Sequence, residues 1–289
     1  MTARPRRALA AAALVVALLA PLAGRAKELD CAALLAHVKT VTSLIERAKQ
    51  LDAAAAGCPA DAAVAYERAF ALERLRRYPE ALGGYRTAAE LNPRHAKAHV
   101  GMGDTLMVLG DPNGAVAAYE RGLALDGTNE RARRALDLAR IKARAQRGDD
   151  ITSEEFARVM TQAEVKNGPA ESAEGPMVRM QILFKPGAAA LDAAALARLQ
   201  VVGEALRSPA MAGARLEIAG HTDADGSPDA NLALSRGRAE AVRDHLVARF
   251  QIPAERLVVA WFGQVRPISS NTTPEGRRLN RRVEFRLLK

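Results

Sequence analysis

Aromatic side chains are scarce in this 289-residue chain: phenylalanine, tyrosine and tryptophan together make up 4%, with a single Trp. Alanine is abundant instead, which favours helices packed through small side chains. Past the first 26 residues no apolar run is long enough to cross a membrane. Cysteine is limited to Cys31 and Cys58. An even pair bridges in an oxidising compartment, and closing this loop would stabilise the fold by ~3 kcal/mol in the chain-entropy model; two buried free thiols are the other reading. Enzyme signatures are missing too. There is no nucleophile elbow, no HExxH and no P-loop, and neither cysteine has a catalytic context, so no catalytic residue and no cofactor are expected. His95 and His99 are four apart but lack a third ligand nearby, so no metal site is read there.

What is present begins at the amino end. Arg4, Arg6 and Arg7 precede an apolar run from Ala8 to about Ala23, followed by Gly24 and Ala26. This is the layout of a secretory signal peptide over 1–26, cleaved after Ala26; the run is too short and too alanine-rich for a comfortable retained anchor. Glu28, Leu29 and Asp30 precede Cys31 where a lipoprotein box needs small residues, so no lipid anchor is expected. Removing residues 1–26 takes away four arginines and no acid, so the net charge of +9 becomes +5. A basic exported chain is drawn to anionic surfaces such as wall carboxylates and lipid headgroups. Nucleic acid is not expected, despite the arginine-rich 277–282, because of the compartment.

Residues 62–95 and 96–129 are two similar units of 34 residues. Small residues recur at Ala69/Gly103, Ala81/Ala115 and Ala88/Gly122, and larger ones at Leu75/Leu109, Tyr85/Tyr119 and Leu91/Leu125. Small positions let the two helices of a unit approach closely, while the Leu and Tyr positions fill the space between units. The period and pattern resemble the tetratricopeptide repeat. Two such units need flanking helices, which 29–54 and a polar, arginine-rich cap from Glu130 to about Arg147 would supply, giving a helical domain over 27–147. The resemblance implies a concave groove for a protein partner, lined by Tyr66, Phe70, Arg74, Lys97, Val100, Asp104 and Met107; a rigid spacer is the alternative. Residues 148–176 read as a linker, with one short helical pattern capped at Thr152 or Ser153 before a Gly/Pro/Ser/Glu stretch.

After the linker the periodicity alternates between strand and helix, over 177–184, 191–206, 214–220, a helix after Ser227-Pro228, then 256–262 and 280–288. The order β-α-β-α-β-β predicts a mixed sheet with helices on one face. The fold class is therefore multidomain, α + α/β. In the helix after Ser227 the apolar stripe of Leu234, Ala239, Val242 and Leu246 contains Arg238, which must snorkel or pair with an anion. Asp223 follows a strand and precedes the Asp225-Gly226 turn. A carboxylate and a guanidinium facing one crevice suit a zwitterion.

The motifs GHTD (220–223), Asn231-x-x-Leu234-Ser235-x-x-Arg238-Ala239, Pro267-x-x-x-Asn271-x-Thr273 and GRRLNRRVEF (276–285) resemble the OmpA-like peptidoglycan-binding domain, over 177–289. The resemblance implies that Asp223 and Arg238 grip the ammonium and carboxylate of diaminopimelate in the wall's stem peptide. Asn231 and Arg281 would line the pocket, with Thr222, Leu234 and Ser235 supporting it; a mutual Asp223–Arg238 pair that merely holds the fold is the other reading. Two positions depart from the family: Lys185, where an Asp is usual after the strand's aromatic, and Trp261, where a glycine is common. Either would reshape the pocket rim. The chain is thus expected to be a non-catalytic periplasmic protein of a Gram-negative cell. It would be wall-associated through its C-terminal domain and would present its repeats to an unidentified envelope protein. The alternative is an adaptor or chaperone of an envelope or secretion assembly that uses the wall only as a tether.

Overall fold

Short polar caps and buried small residues set out the helices of the first half. The computed structural model describes residues 30–162, 176–182, 184 and 188–288; the leader read at 1–26, residues 163–175 and Lys185 lie outside the described residues. Helices α1 (Cys31–Lys39) and α2 (Leu44–Gly57) lead into α3 (Ala62–Arg74), α4 (Tyr78–Leu91), α5 (Ala96–Leu109), α6 (Pro112–Leu125) and α7 (Glu130–Arg147). Asp61, Asp111 and Asn129 accept backbone N–H groups at the starts of α3, α6 and α7, satisfying donors that a helix cannot pair itself. The Nδ1 of His95 caps α5 by accepting from Ala98, and His99 lies against the carbonyl of Pro93, so both imidazoles serve local structure.

The 34-residue period becomes two helix pairs, α3–α4 and α5–α6. Ala69, Ala81, Ala88 and Ala115 are fully buried. The rings of Tyr85 and Tyr119 lie against α5, where a Cβ on Gly101 or Gly103 would come within 2.5 Å and 2.6 Å of them. Each hydroxyl then reaches a buried carboxylate. Tyr119 donates to Asp104 at 2.8 Å, and Tyr85 donates to Glu73, whose carboxyl burial pushes up to about 7 against the opposing effect of that hydrogen bond. The leucines behave differently from expectation. Leu91 and Leu109, the last residues of α4 and α5, are 40% and 42% exposed.

Cys31 and Cys58 are bonded and tie the start of α1 to the residue after α2, with Cα atoms 6.0 Å apart and a sequence separation of 27. Converting both to serine should lower stability by about 3 kcal/mol. Urea denaturation of oxidised wild type beside the variant measures this, and equal midpoints would show that the bridge contributes nothing.

Helix α7 is not a terminal cap. Leu136 and Ala139 pack on the repeats, whereas Ile141 and Ala145, further along, join the core of the second half. After the left-handed Gly148 comes α8 (Ser153–Gln162), opened by a reciprocal cap in which Thr152 accepts from Glu155 N–H and Glu155 accepts from Thr152 N–H. Residues 153–162 therefore correct the linker reading. Phe156, Val159 and Met160 are fully buried, and Phe156 meets Phe285 edge-on at 5.8 Å. Apolar side chains three and four apart made one helix face, and that face found the sheet rather than solvent.

The second half runs β1 (Met177–Met180), α9 (Ala193–Arg207), β2 (Arg215–Gly220), α10 (Pro228–Phe250), β3 (Leu257–Trp261), α11 (Pro274–Asn280) and β4 (Val283–Leu288). The sheet order is β1-β4-β2-β3, with β4 antiparallel to both neighbours and β2 parallel to β3. Ser227 caps α10 and Pro228 takes its first position, as the sequence predicts. The first strand stops four residues short of expectation because Ile182 N–H turns back to the carbonyl of Met180. Val178, Met180, Ile218 and Phe285 point into one core with α9, α10 and α8. From Cys31 onward the chain forms one compact unit.

Candidate ligand cavity beyond β2

β2 ends at Gly220, where α10 crosses so closely that a Cβ would lie 2.1 Å from the carbonyl oxygen of Ser235. The next residues are strapped to the two flanking strand ends. His221 N–H donates to the carbonyl of Arg282 at 3.1 Å, and Thr222 N–H to that of Gly263 at 2.9 Å. This turn delivers Asp223 into a cavity of about 600 Å³, lined also by Phe184, Thr222, Asp225, Asn231, Leu234, Arg238 and Arg281. The volume is that of a small-ligand site.

Asp223 and Arg238 are both nearly buried, at 6% and 4% exposed, yet they are not each other's partner. Asp223 accepts from Arg281 Nη1 at 2.5 Å through Oδ2, and Asp225 N–H lies 3.2 Å from its Oδ1. Arg238 donates from Nε to the carbonyl of Ala188 at 3.2 Å and stands 4.9 Å from the ring centre of Phe184. Among the described residues no carboxylate forms an ion pair with it. Burial lowers the Arg238 guanidinium from its usual value, Asp223 pulls it back up and Arg281 adds to the lowering. It stays a cation, and among the described residues its terminal nitrogens make no hydrogen bond. The Thr222 hydroxyl, on the same wall, has no partner among the described residues.

Asn231 is a brace for this cavity. Its Nδ2 lies within 2.9 Å of the Asp225 carbonyl and 2.7 Å of Gln264 Oε1, fixing the turn. Ser235 does not line the cavity; it is fully buried, accepting from Gly263 N–H at 3.0 Å and donating to the Leu232 carbonyl at 2.8 Å. Trp261 is absent from the lining as well. It lies under Arg236, 5.0 Å from ring centre to Cζ, and Arg236 projects about 160° around α10 from Arg238. It cannot shape the cavity rim.

Two groups of residues escaped the sequence reading. Asn280 is fully buried, accepts from the N–H groups of Ile268 and Ser269, and donates to Asn271, whose side-chain oxygen also takes Ala224 N–H. It holds the 268–271 loop beside the Asp223 turn. Behind the turn, Glu284 receives Arg282 at 2.7 Å and Arg179 at 2.8 Å, with His221 Nε2 3.5 Å away. Burial would push the Glu284 carboxyl up, but the contact with His221 and the charges of Arg282 and Arg179 win and hold it far below the carboxylate range. Asn280, Arg282 and Glu284 sit inside NRRVEF, so those letters were visible but their pairing with Asn271, Arg179 and His221 was not.

The groove positions of the repeats divide. Tyr66 and Phe70 stack at 6.3 Å, with Phe70 exposed and Arg74 6.0 Å from its ring centre. Lys97 is exposed and Met107 half-buried. Val100 and Asp104 are corrections: Val100 is buried against Gly122, and Asp104 is held by both terminal nitrogens of Arg131 as well as by Tyr119. The approach of α6 and α7 closes these two positions off from a partner.

Comparison with known proteins finds similarity over the second half of the chain. The OmpA family model matches residues 183–281. The peptidoglycan-binding protein ArfA of Mycobacterium tuberculosis is 39% identical over 127 residues, covering 40% of this chain and 38% of the relative. Outer membrane porin F of Pseudomonas aeruginosa is 45% identical over 67 residues, covering 23% of this chain and 19% of the porin. The chain thus spans well under two thirds of these curated relatives. Among solved structures, the cell wall anchor of the type VI secretion system from Pseudomonas aeruginosa is similar at 27% identity and a TM-score of 0.35, over 39% of this chain and 80% of that one. Residues 183–281 are thus the part of this chain that matches the OmpA family.

Proposed function

We propose that this protein binds peptidoglycan non-covalently, with the diaminopimelate of a stem peptide held in the cavity beyond β2. The observation that carries this reading is Arg238: a nearly buried guanidinium with no ion-pair partner among the described residues, on the wall of a cavity that also holds Asp223. An unpaired cation in so dry a place needs an anion. A ligand carboxylate would take its two parallel N–H groups, while the ligand's ammonium would join Asp223 beside Arg281. The protein would act in the periplasm after export, docked on the wall. The test is sedimentation of the mature chain with isolated sacculi, with a soluble diaminopimelate-containing tripeptide as competitor. The chain should pellet with sacculi and be released by the tripeptide, but not by its lysine-containing counterpart, which lacks the second carboxylate. A chain that stays in the supernatant would overturn the proposal.

Phe70, exposed and stacked on the half-buried Tyr66, favours a second role for the repeats, as a groove that presents a protein partner to the wall-bound domain. Capture from envelope extract by the full mature chain, lost on Tyr66→Ala with Phe70→Ala, would support an adaptor. Equal capture by both forms would leave the repeats a spacer.

A further inference from the structure

The two halves of the chain meet through arginines placed on helix ends. Gly110, in the left-handed conformation after α5, offers its carbonyl to Arg179 Nη1 at 3.1 Å. Gly148, left-handed after α7, offers its carbonyl to Arg198 Nη2 at 2.7 Å, and Arg278 Nη1 reaches the neighbouring carbonyl of Arg147 at 3.2 Å. A helix C-terminus carries unpaired carbonyls and a partial negative charge, so a guanidinium there is doubly favoured.

Arg179 differs from the other two in what it does with its remaining nitrogens. Its Nε donates to Glu284 Oε1 at 2.8 Å, and the same carboxylate takes Arg282 and faces His221. His221 N–H is fixed by the carbonyl of Arg282, and the adjacent Arg281 pairs with Asp223. One guanidinium therefore touches both the repeats and the charge cluster under the Asp223 turn. We propose that Arg179 is a positioning residue for the cavity, through which the α5–α6 corner of the repeats sets the placement of Asp223. The inference rests on the wall-binding reading for its functional meaning. Its consequence is that anything loosening the repeats at Gly110 weakens the wall site, and by linkage that wall ligand stiffens the repeats.

Gly110 gives a test from the far side, since it touches no cavity residue. A Cβ there would lie 2.0 Å from Arg179 Nη1, whereas Gly213, also left-handed, has nothing within 4 Å of its own added Cβ. Gly110→Ala and Arg179→Met are compared in the mature chain with Gly213→Ala, which carries the backbone strain without the arginine contact. Amide exchange at His221 and Thr222 is followed, together with affinity for the diaminopimelate-containing tripeptide. Both variants should speed exchange at these two amides and weaken binding about 2- to 30-fold. The double variant should be no weaker than the worse single one, as for two changes in one path, and Gly213→Ala should leave the two amides unchanged. Arg179→Lys, which reaches one acceptor instead of two, should restore only part of the loss. Unchanged exchange at His221 and Thr222 in Gly110→Ala, with the α5 end loosened, would overturn the inference. If the wild type takes no tripeptide, the wall reading fails by itself and the exchange measurements still decide this one.

Discussion

Asp223→Ala and Arg238→Ala should each leave the chain in the supernatant of a sacculus sedimentation assay. The two losses have different physical origins. Without Asp223 the cavity keeps two guanidiniums, Arg238 and Arg281, and offers a ligand ammonium only like charge. Without Arg238 the ligand carboxylate would enter a nearly dry site with nothing to replace its hydration. Removing one member of a buried, hydrogen-bonded charge pair weakens binding by about 2–5 kcal/mol, or from about 30-fold to several thousand-fold. Arg238→Lys tests the geometry separately from the charge. It keeps the cation but loses the planar fork, so it should recover little of the affinity. Because both residues are nearly buried, each variant is first compared with wild type by thermal unfolding. Sedimentation like wild type in both alanine variants would place the ligand elsewhere.

The second large effect concerns folding. Phe156→Ala should destabilise the protein by about 3–5 kcal/mol, the range for emptying a fully buried aromatic site. For a chain of this size that is a fall in melting temperature on the order of 6–20 °C. A residue in a flexible linker would shift stability by no more than about 0.5 kcal/mol, so differential scanning calorimetry separates the two cases clearly. The same reasoning predicts that a fragment beginning at Met177 is unstable. It lacks Phe156, Val159 and Met160, and the sheet face carrying Phe285 would be open to water. The functional domain in the physical sense starts upstream of its first strand.

Much of this was legible in the letters. Ser227-Pro228 marked the start of α10, and the position of Arg238 inside an apolar stripe flagged a buried cation, because one helix's periodicity is a local property. The 34-residue repeat was equally local. What stayed hidden depends on distant pairs. Phe156 and Phe285 lie 129 positions apart, so the helical pattern of α8 announced a helix but not the face it would cover. Helix α11, EGRRLN after its proline, carries too little apolar pattern to be read against its arginines, and its place is set by Asn280 binding the 268–271 loop. Glu284 looked like an alternating strand residue; its three basic neighbours come from three separate segments. Arg281 was read as a pocket residue, but its ion pair with the Asp223 carboxylate was not foreseen.

The position of Trp261 bears on how any of these experiments can be read out. It is the chain's single tryptophan, 38% exposed at the sheet edge and stacked under Arg236, on the far side of α10 from the cavity. The dominant intrinsic fluorophore therefore watches the outer edge of β3 under Arg236 and is not part of the cavity lining. An emission change on adding ligand would report a shift of the β3 end or of Arg236 on α10, whereas silent emission would be compatible with full occupancy of the site.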